Sequence, residues 1–525
     1  MNVDGTERDN PASPNSCCAA KRRSGLCEDA TQSRVAEQQP LAPAPLESTL
    51  LSVSDATQTP NIVIILSDDV GWGDMSCYGA EMVRTRRIDQ LAEQGMRFTH
   101  GYAPGSVCSP SRFSMLTGEY PCRGPIKTGA IGMSSLLAIR PDHVTLQRWL
   151  KGRGYDTAHI GKWHLGYGTE GITNWAGDLS PGPEDTGFDY HFGLVTNHND
   201  NFKTYVEHNR LINLKPGVTE LPGQPKEEHL TKMRMDDEVD STLTAKACQF
   251  IREQRDGPFF LCLATVATHT HVTPAEPFRG TSEAGQLGDY IHELDHHVGE
   301  IDDTLQELGL ADNTILIFTS DNGGQGNDHQ TAGRNLRVSS ERNDVCRKAR
   351  TAKIDARERG HRTCGDLRSY KGDIYEGGFR VPFVVRWPGH VPAGVVSDQT
   401  LCLSDMLATI AGFLNADLPP EAGGDSFDLS PVMLGYTVDT PPRQTTVLQS
   451  AGGHHALREG DWKLVVKAPT QWDGEKPTLP TEPLELYDLK SDPSETDDLA
   501  PSDPQRVAAM HDRLTRLLDS GHCRT

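Results

Sequence analysis

No run of about 18 or more apolar residues occurs in the chain, so no helix is expected to span a bilayer. The 12 cysteines include no C-x-x-C pair and no zinc-ligand spacing, and in a chain of 525 residues they impose no disulfide framework. Positive charge is also in deficit. With 51 Lys and Arg against 73 Asp and Glu, the formal net charge of −22 argues against nucleic acid as a partner, because an acidic surface repels phosphates. The first residues lack a basic segment followed by an apolar one, so no secretory signal is read there and the compartment stays open. The apolar content, 36%, is ordinary and enough for one large domain plus a smaller one.

Residues 1–58 are polar, rich in Pro, Ala and Ser, and without apolar periodicity, which predicts a disordered leader. Order is expected from Asn61, where "NIVIIL" has the β-branched, unbroken apolar character of a buried strand. Similar runs follow in "YDTAHI", "FFLCLATVA", "TILIFTS" and "VPFVVRW", separated by segments of helical period. Strands alternating with helices predict an α/β fold with a mostly parallel sheet covered on both faces. In such sheets chemistry collects beyond the carboxyl ends of the strands.

Two of those ends carry oxygen ligands. "NIVIILSDDVGWGD" leaves Asp68 and Asp69 after its apolar run, and "TILIFTSDNGG" leaves Asp321 and Asn322. Four oxygen-bearing side chains suit a hard cation such as Ca²⁺ or Mg²⁺, whereas zinc would more usually recruit His or Cys. The competing explanation, that Asp-Gly and Asn-Gly only make turns, accounts for either stretch alone but not for the repeated arrangement.

The stretch Cys108-Ser109-Pro110-Ser111-Arg112, followed by Leu116-Thr117-Gly118, resembles the signature of the type I sulfatases of the alkaline-phosphatase superfamily. Further matches follow in the family's order: "GKWHLG" with Lys162 and His164, "THTHVTP" with His269 and His271, and "LRSYKGDIYEGGFRVP" with Lys371. The segment "PLELYDLKSDPSETDDLA" is similar to the family's C-terminal subdomain. The resemblance implies a large mixed, mostly parallel sheet sandwiched by helices over 59–440, and a smaller α+β subdomain over 441–525. It implies a sulfuric ester hydrolase acting on an aryl or carbohydrate sulfate, a maturation enzyme that oxidises Cys108 to Cα-formylglycine, and Ca²⁺ (or Mg²⁺) as cofactor. Export from the cytoplasm is usual for the family.

The chemistry explains the cysteine. Hydrated formylglycine is a geminal diol: one hydroxyl attacks sulfur while the alcohol leaves, and deprotonation of the second expels sulfate and restores the aldehyde. A serine has no second hydroxyl. By charge and resemblance together, Asp68, Asp69, Asp321 and Asn322 hold the cation, with residue 108 as a further ligand. Arg112, Lys162 and Lys371 surround the sulfate with positive charge. The resemblance implies that His164 assists deprotonation during hemiacetal breakdown, and His271 or Lys371 would protonate the leaving alcohol. His269 and His271, two apart on an extended chain, would both face the site; of the two, His271 is chosen.

Three other readings compete. The same constellation serves phosphate and phosphonate ester hydrolases, and an unmodified Cys108 would leave a protein that binds sulfated glycans without turnover. "HELDH" at 292–296 matches the zinc-protease spacing, but the apolar stripe Ile291, Leu294, Val298, Ile301, Leu305 and Leu308 lies opposite His292 and His296, which are therefore expected to face solvent. Lastly, residues 334–362 are unusually basic for so acidic a chain, and lie between two predicted site segments. They would attract a polyanionic polysaccharide, or else form a helix whose charges pair with Glu341, Asp344, Asp355 and Glu358.

Overall fold

Alternation along the buried strands sets the layers of the fold. The computed structural model describes residues 59–170, 173–200, 202–254, 257–326 and 352–524. The leader expected over 1–58 and most of the basic stretch expected over 334–362 lie outside the described residues. Ten strands form the main sheet: β1 (Asn61–Ser67), β2 (Met96–Tyr102), β3 (Asp156–Lys162), β4 (Tyr190–Leu194), β5 (Val206–Glu207), β6 (Arg210–Leu211), β7 (Phe259–Ala264), β8 (Thr314–Ser320), β9 (Arg380–Arg386) and β10 (Val395–Cys402). Their spatial order is β10-β2-β9-β8-β1-β7-β3-β4-β5-β6. The run from β8 to β4 is parallel throughout, and β9 runs against both of its neighbours.

Every residue of β1, β7 and β8 is buried. Ile62, Ile64 and Leu66 enter the core on one face of the sheet, and Val63 and Ile65 the core on the other, as a period of two requires. The unbroken apolar run in the sequence is therefore a strand covered on both sides. The fold is the alkaline-phosphatase-like α/β architecture that the resemblance implied.

Topology puts the site at one edge. β1 and β8 pair in register through Ser67 and Ser320, so Asp68–Asp69 and Asp321–Asn322 leave the sheet at the same level. Lys162 ends β3, and the segment after β7 leaves at the same end. Because β9 is reversed, the turn before it, with Lys371, also lies at this edge.

A second, antiparallel sheet follows, with β11 (Thr445–Gln449), β12 (His455–Glu459), β13 (Trp462–Val466) and β16 (Leu484–Asp488), and a small ribbon of β14 (Gln471–Asp473) and β15 (Lys476–Thr478). The helix Pro504–Asp519 packs on it through Met510, Leu514 and Leu518, spaced to fall on one helix face. That helix starts where Asp503 accepts from the Arg506 amide and Pro504 needs no N–H partner. The described residues pack as one unit. Several contacts fasten the second sheet to the rest of the fold, among them two close to the site. Gln449 exchanges backbone hydrogen bonds with Pro104 and Ser106, just ahead of Cys108, and buried Lys463 bridges Glu376 (3.0 Å) and Glu495 (2.8 Å).

The "HELDH" segment lies in the helix Gly285–Glu307. His296 is exposed, whereas His292 is half-buried, departing from the expectation of full solvent exposure: its Nδ1 meets Thr281 Oγ1 at 2.9 Å and its Nε2 accepts from the Arg84 amide. Glu293 is buried and accepts from the Ala275 amide. The two histidines have separate partners, and the glutamate faces inward, so no protease-like zinc centre forms.

Candidate active site

Cys108 is the first residue of a ten-residue helix, Cys108–Thr117, every residue of which is buried. Val107 is extended, Pro110 sits in the first turn where a missing N–H costs nothing, and Gly118 ends the helix at φ 71°. Ser111 Oγ closes the preceding turn by accepting from the Gly105 amide (3.1 Å) and donating to the Gly105 carbonyl (2.8 Å). Gly105 tolerates no side chain, since a Cβ there would lie 2.6 Å from Pro110 Cβ. This local packing sets residue 108 at a helix N-terminus, a position that favours negative charge.

Around its Sγ the strand ends converge. Lys371 Nζ lies 3.3 Å from Sγ and pairs with Asp69 Oδ1. Asp68 Oδ1 is 3.7 Å from Sγ, and its Oδ2 accepts from Lys162 Nζ at 2.7 Å. Arg112 donates through Nε (2.9 Å) and Nη2 (2.7 Å) to Asp321 Oδ2, and through Nη1 to the Lys162 carbonyl (2.7 Å). Burial would raise the Asp69 carboxyl, but Lys371, then His269, Lys353 and Lys162, hold it well below the usual carboxylate range. Burial pushes the Cys108 thiol up to about 11, against the pull of Lys162 and Lys371. A bare thiol here is thus protonated at neutral pH and a poor nucleophile.

The donor set fits a hard cation. Asn322 Nδ2 donates to Asp69 Oδ1 (2.9 Å) and to the Gly323 carbonyl (3.0 Å), which leaves its Oδ1 buried without a hydrogen-bond partner. Asp69 Oδ2 is likewise buried and unpartnered. Such atoms are costly in a dry interior unless something meets them. Potential ligand atoms of Asp68, Asp69, Cys108 and His269 all lie within 4.8 Å of one another. The carboxylates of Asp68, Asp69 and Asp321 face the fixed cations Lys162, Lys371 and Arg112, so a divalent ion would turn a nearly balanced cluster into one that attracts an anion.

The histidines divide differently from the sequence expectation. His269, not His271, joins the cluster, with its Nε2 4.0 Å from Asp69 Oδ2. After β7 the backbone keeps pairing with the Asp68 loop, through Asp68 N to the Ala267 carbonyl and Thr268 N to the Asp68 carbonyl, and then turns at His269. That turn breaks the two-residue alternation by which both histidines were expected to face the site. His271 is half-buried beside Asp236 and Lys203, and its carbonyl accepts from His198 Nε2 (2.8 Å). His164 is buried, and its Nε2 meets the Ile131 carbonyl at 2.9 Å. A carbonyl can only accept, so Nε2 bears the proton and Nδ1, buried without a partner, is the basic nitrogen. Burial, with Lys162 and Arg112 nearby, holds this ring well below the usual imidazole range.

Sequence reasoning did not single out Lys353 or Gln325. Lys353 lies in a helical turn at 352–358, is 5% exposed, and donates to Gln325 Oε1 at 3.0 Å. Gln325 Oε1 also accepts from Thr270 Oγ1, beside His269. The only signal was the basic character of the whole stretch, which does not tell a buried lysine from its solvated neighbours.

Comparisons with known proteins identify the family. The Sulfatase family profile matches residues 60–416. The chain is 34% identical over 506 residues to an N-acetylgalactosamine-6-O-sulfatase of Bacteroides thetaiotaomicron, covering 88% of this chain and 93% of that one. It is 32% identical to human arylsulfatase A, covering 86% of each. A solved sulfatase structure, from work on the metabolism of multiple glycosaminoglycans by Bacteroides thetaiotaomicron, superposes with a TM-score of 0.75 at 33% identity, over 88% of this chain and 100% of that one. A phosphonate monoester hydrolase of Agrobacterium radiobacter shares the fold at 18% identity, with a TM-score of 0.56 over 88% of this chain and 96% of that one. With its strand-end acids, its Cys108 at the start of a helix and these relatives, the chain belongs to the sulfatase family and is a sulfuric ester hydrolase.

Proposed function

We propose that this sulfatase cleaves a carbohydrate sulfate ester, using Cα-formylglycine made from Cys108 by a maturation enzyme and a divalent cation, Ca²⁺ or Mg²⁺, held by Asp68, Asp69, Asp321 and Asn322. The observation that carries the reading is Cys108 Sγ at a helix N-terminus, 3.3 Å from Lys371 and 3.7 Å from Asp68, beside the unpartnered oxygens of Asp69 and Asn322. The carbohydrate is supported by the names of the relatives, N-acetylgalactosamine-6-sulfatases of bacterial and human origin among them.

When bound, the cation neutralises sulfate oxygens and acidifies a hydroxyl of residue 108. Formylglycine, hydrated, supplies one oxygen to attack sulfur and a second whose deprotonation releases sulfate. Arg112, Lys162 and Lys371 hold the sulfate and the charge that builds on the leaving oxygen. His164 Nδ1 takes the proton that the second hydroxyl must lose. His269 takes over the acid role that the sequence suggested for His271, sharing it with Lys371.

The test is sulfate release from sulfated sugars, with matched phosphate esters alongside. Cys108→Ala should abolish release in a folded protein, and a chelator should abolish it reversibly, with recovery on adding Ca²⁺ or Mg²⁺. Undiminished release by Cys108→Ala would refute the reading, and faster turnover of the phosphate ester would move the enzyme to the phosphoesterase class.

A further inference from the structure

A cavity of about 540 Å³ opens beside the reaction centre, lined by Gln325, Lys353, Arg357, Arg362 and Tyr370 among others. It adjoins the site on two sides. Tyr370 precedes Lys371 in the chain, and Gln325 links Lys353 to Thr270, next to His269.

Its cations are unevenly committed. Arg362 is paired with Asp366, and His361 with Asp74 (2.7 Å). Lys353 differs. Among the described residues its ammonium has one acceptor, the neutral Gln325 side chain, and no carboxylate within ion-pair distance. A buried ammonium with N–H groups left over costs free energy that an anion would recover. Arg357 lies four residues further along the helical turn at 352–358, hence on the same face, and it too lines the cavity. The field of Lys353 reaches Asp69, which places it close to the metal-binding carboxylates without touching them.

We infer that Lys353 and Arg357 form a subsite for a second negative charge on the substrate, a carboxylate or a sulfate on the sugar beside the one being desulfated. This inference rests on the proposed sulfatase reading and narrows it to polyanionic glycans. Lys353 supplies a point charge at the inner wall and Arg357 a planar fork at the mouth, suited to bidentate contact with either oxyanion. Among the described residues neither is hydrogen-bonded or ion-paired to Cys108 or to Asp68 and Asp69, so the effect is assigned to substrate selection.

The experiment compares kcat/KM for three disaccharides that carry the same scissile sulfate: one with a neutral neighbouring sugar, one with a uronate neighbour and one with a sulfated neighbour. Wild-type enzyme, checked by mass for formylglycine at 108, should favour one or both charged substrates by about tenfold, the worth of one charge-assisted hydrogen bond. The preference should shrink with added salt. R357Q should lower the charged-to-neutral ratio to near one, and R357K should restore part of it. K353M should lower the same ratio, and the exposed Arg357 provides the answer if that buried change impairs folding. The uronate and sulfate arms identify which oxyanion is read. Equal rates on all three disaccharides, or a ratio untouched by R357Q, would overturn the subsite. No sulfate released from any of them by formylglycine-bearing enzyme would instead overturn the proposed carbohydrate substrate.

Discussion

Most of the site's side chains are legible in the sequence because each sits in a short motif, at the end of a strand, at the start of a helix or in the turn before β9. Asp68, Asp69, Cys108, Arg112, Lys162, His164, Asp321, Asn322 and Lys371 all gather at one edge of the sheet. The histidine after β7 was not legible, because two candidates two residues apart are distinguished only by where the backbone turns. The structure turns it at His269. His269→Gln is therefore expected to lower kcat by about 10²-fold or more, the usual loss for a general acid or base, and His271→Gln by only a few-fold. Steady-state kinetics on one sulfated sugar would decide, and equal losses in both variants would contradict the placement. Lys353 escaped for a different reason: burial of one lysine within a charged stretch is a tertiary fact with no local sequence signal.

At the scale of elements, strands buried on both faces were the easiest to find, since they read as unbroken apolar runs. β2 and β10 were not found. Their residues alternate with partly exposed ones, and β10 lies at the sheet edge. The short β4, β5 and β6 are similarly weak signals. The helix Cys108–Thr117 depends on its ending as much as on its start. Gly118 has φ 71°, and a Cβ there would meet Gly423 Cα at 2.7 Å. Gly118→Ala should thus cost ~1–3 kcal/mol from backbone strain, with a crowding cost added. Thermal unfolding would register this as a lower Tm, and an unchanged Tm would mean that the backbone relaxes without cost.

The whole molecule carries buried charge away from the site, and this sets its response to pH. In the helix Gly285–Glu307, burial opposes protonation of His297, but the Glu293 carboxylate 3.5 Å from its Nε2 and a hydrogen bond to Glu300 (2.7 Å), with Asp240 nearby, push its pKa up to about 9 from 6.5. The folded state therefore binds a proton that the unfolded chain releases over this range. The resulting stability is fully present below pH 6.5 and is lost as pH rises through 9. Its full size is on the order of 3 kcal/mol. Denaturant titrations from pH 6 to 9.5 should show wild type losing stability with pH more steeply than His297→Gln; parallel curves would contradict the assignment.

The chemistry turns on residue 108, whose state is read from the mass of the peptide that contains it, in protein produced together with a maturation enzyme and active in sulfate release. The account predicts a loss of about 18 mass units relative to the cysteine form, in a fraction that tracks activity. Full sulfate release from protein whose Cys108 is wholly unmodified would contradict it.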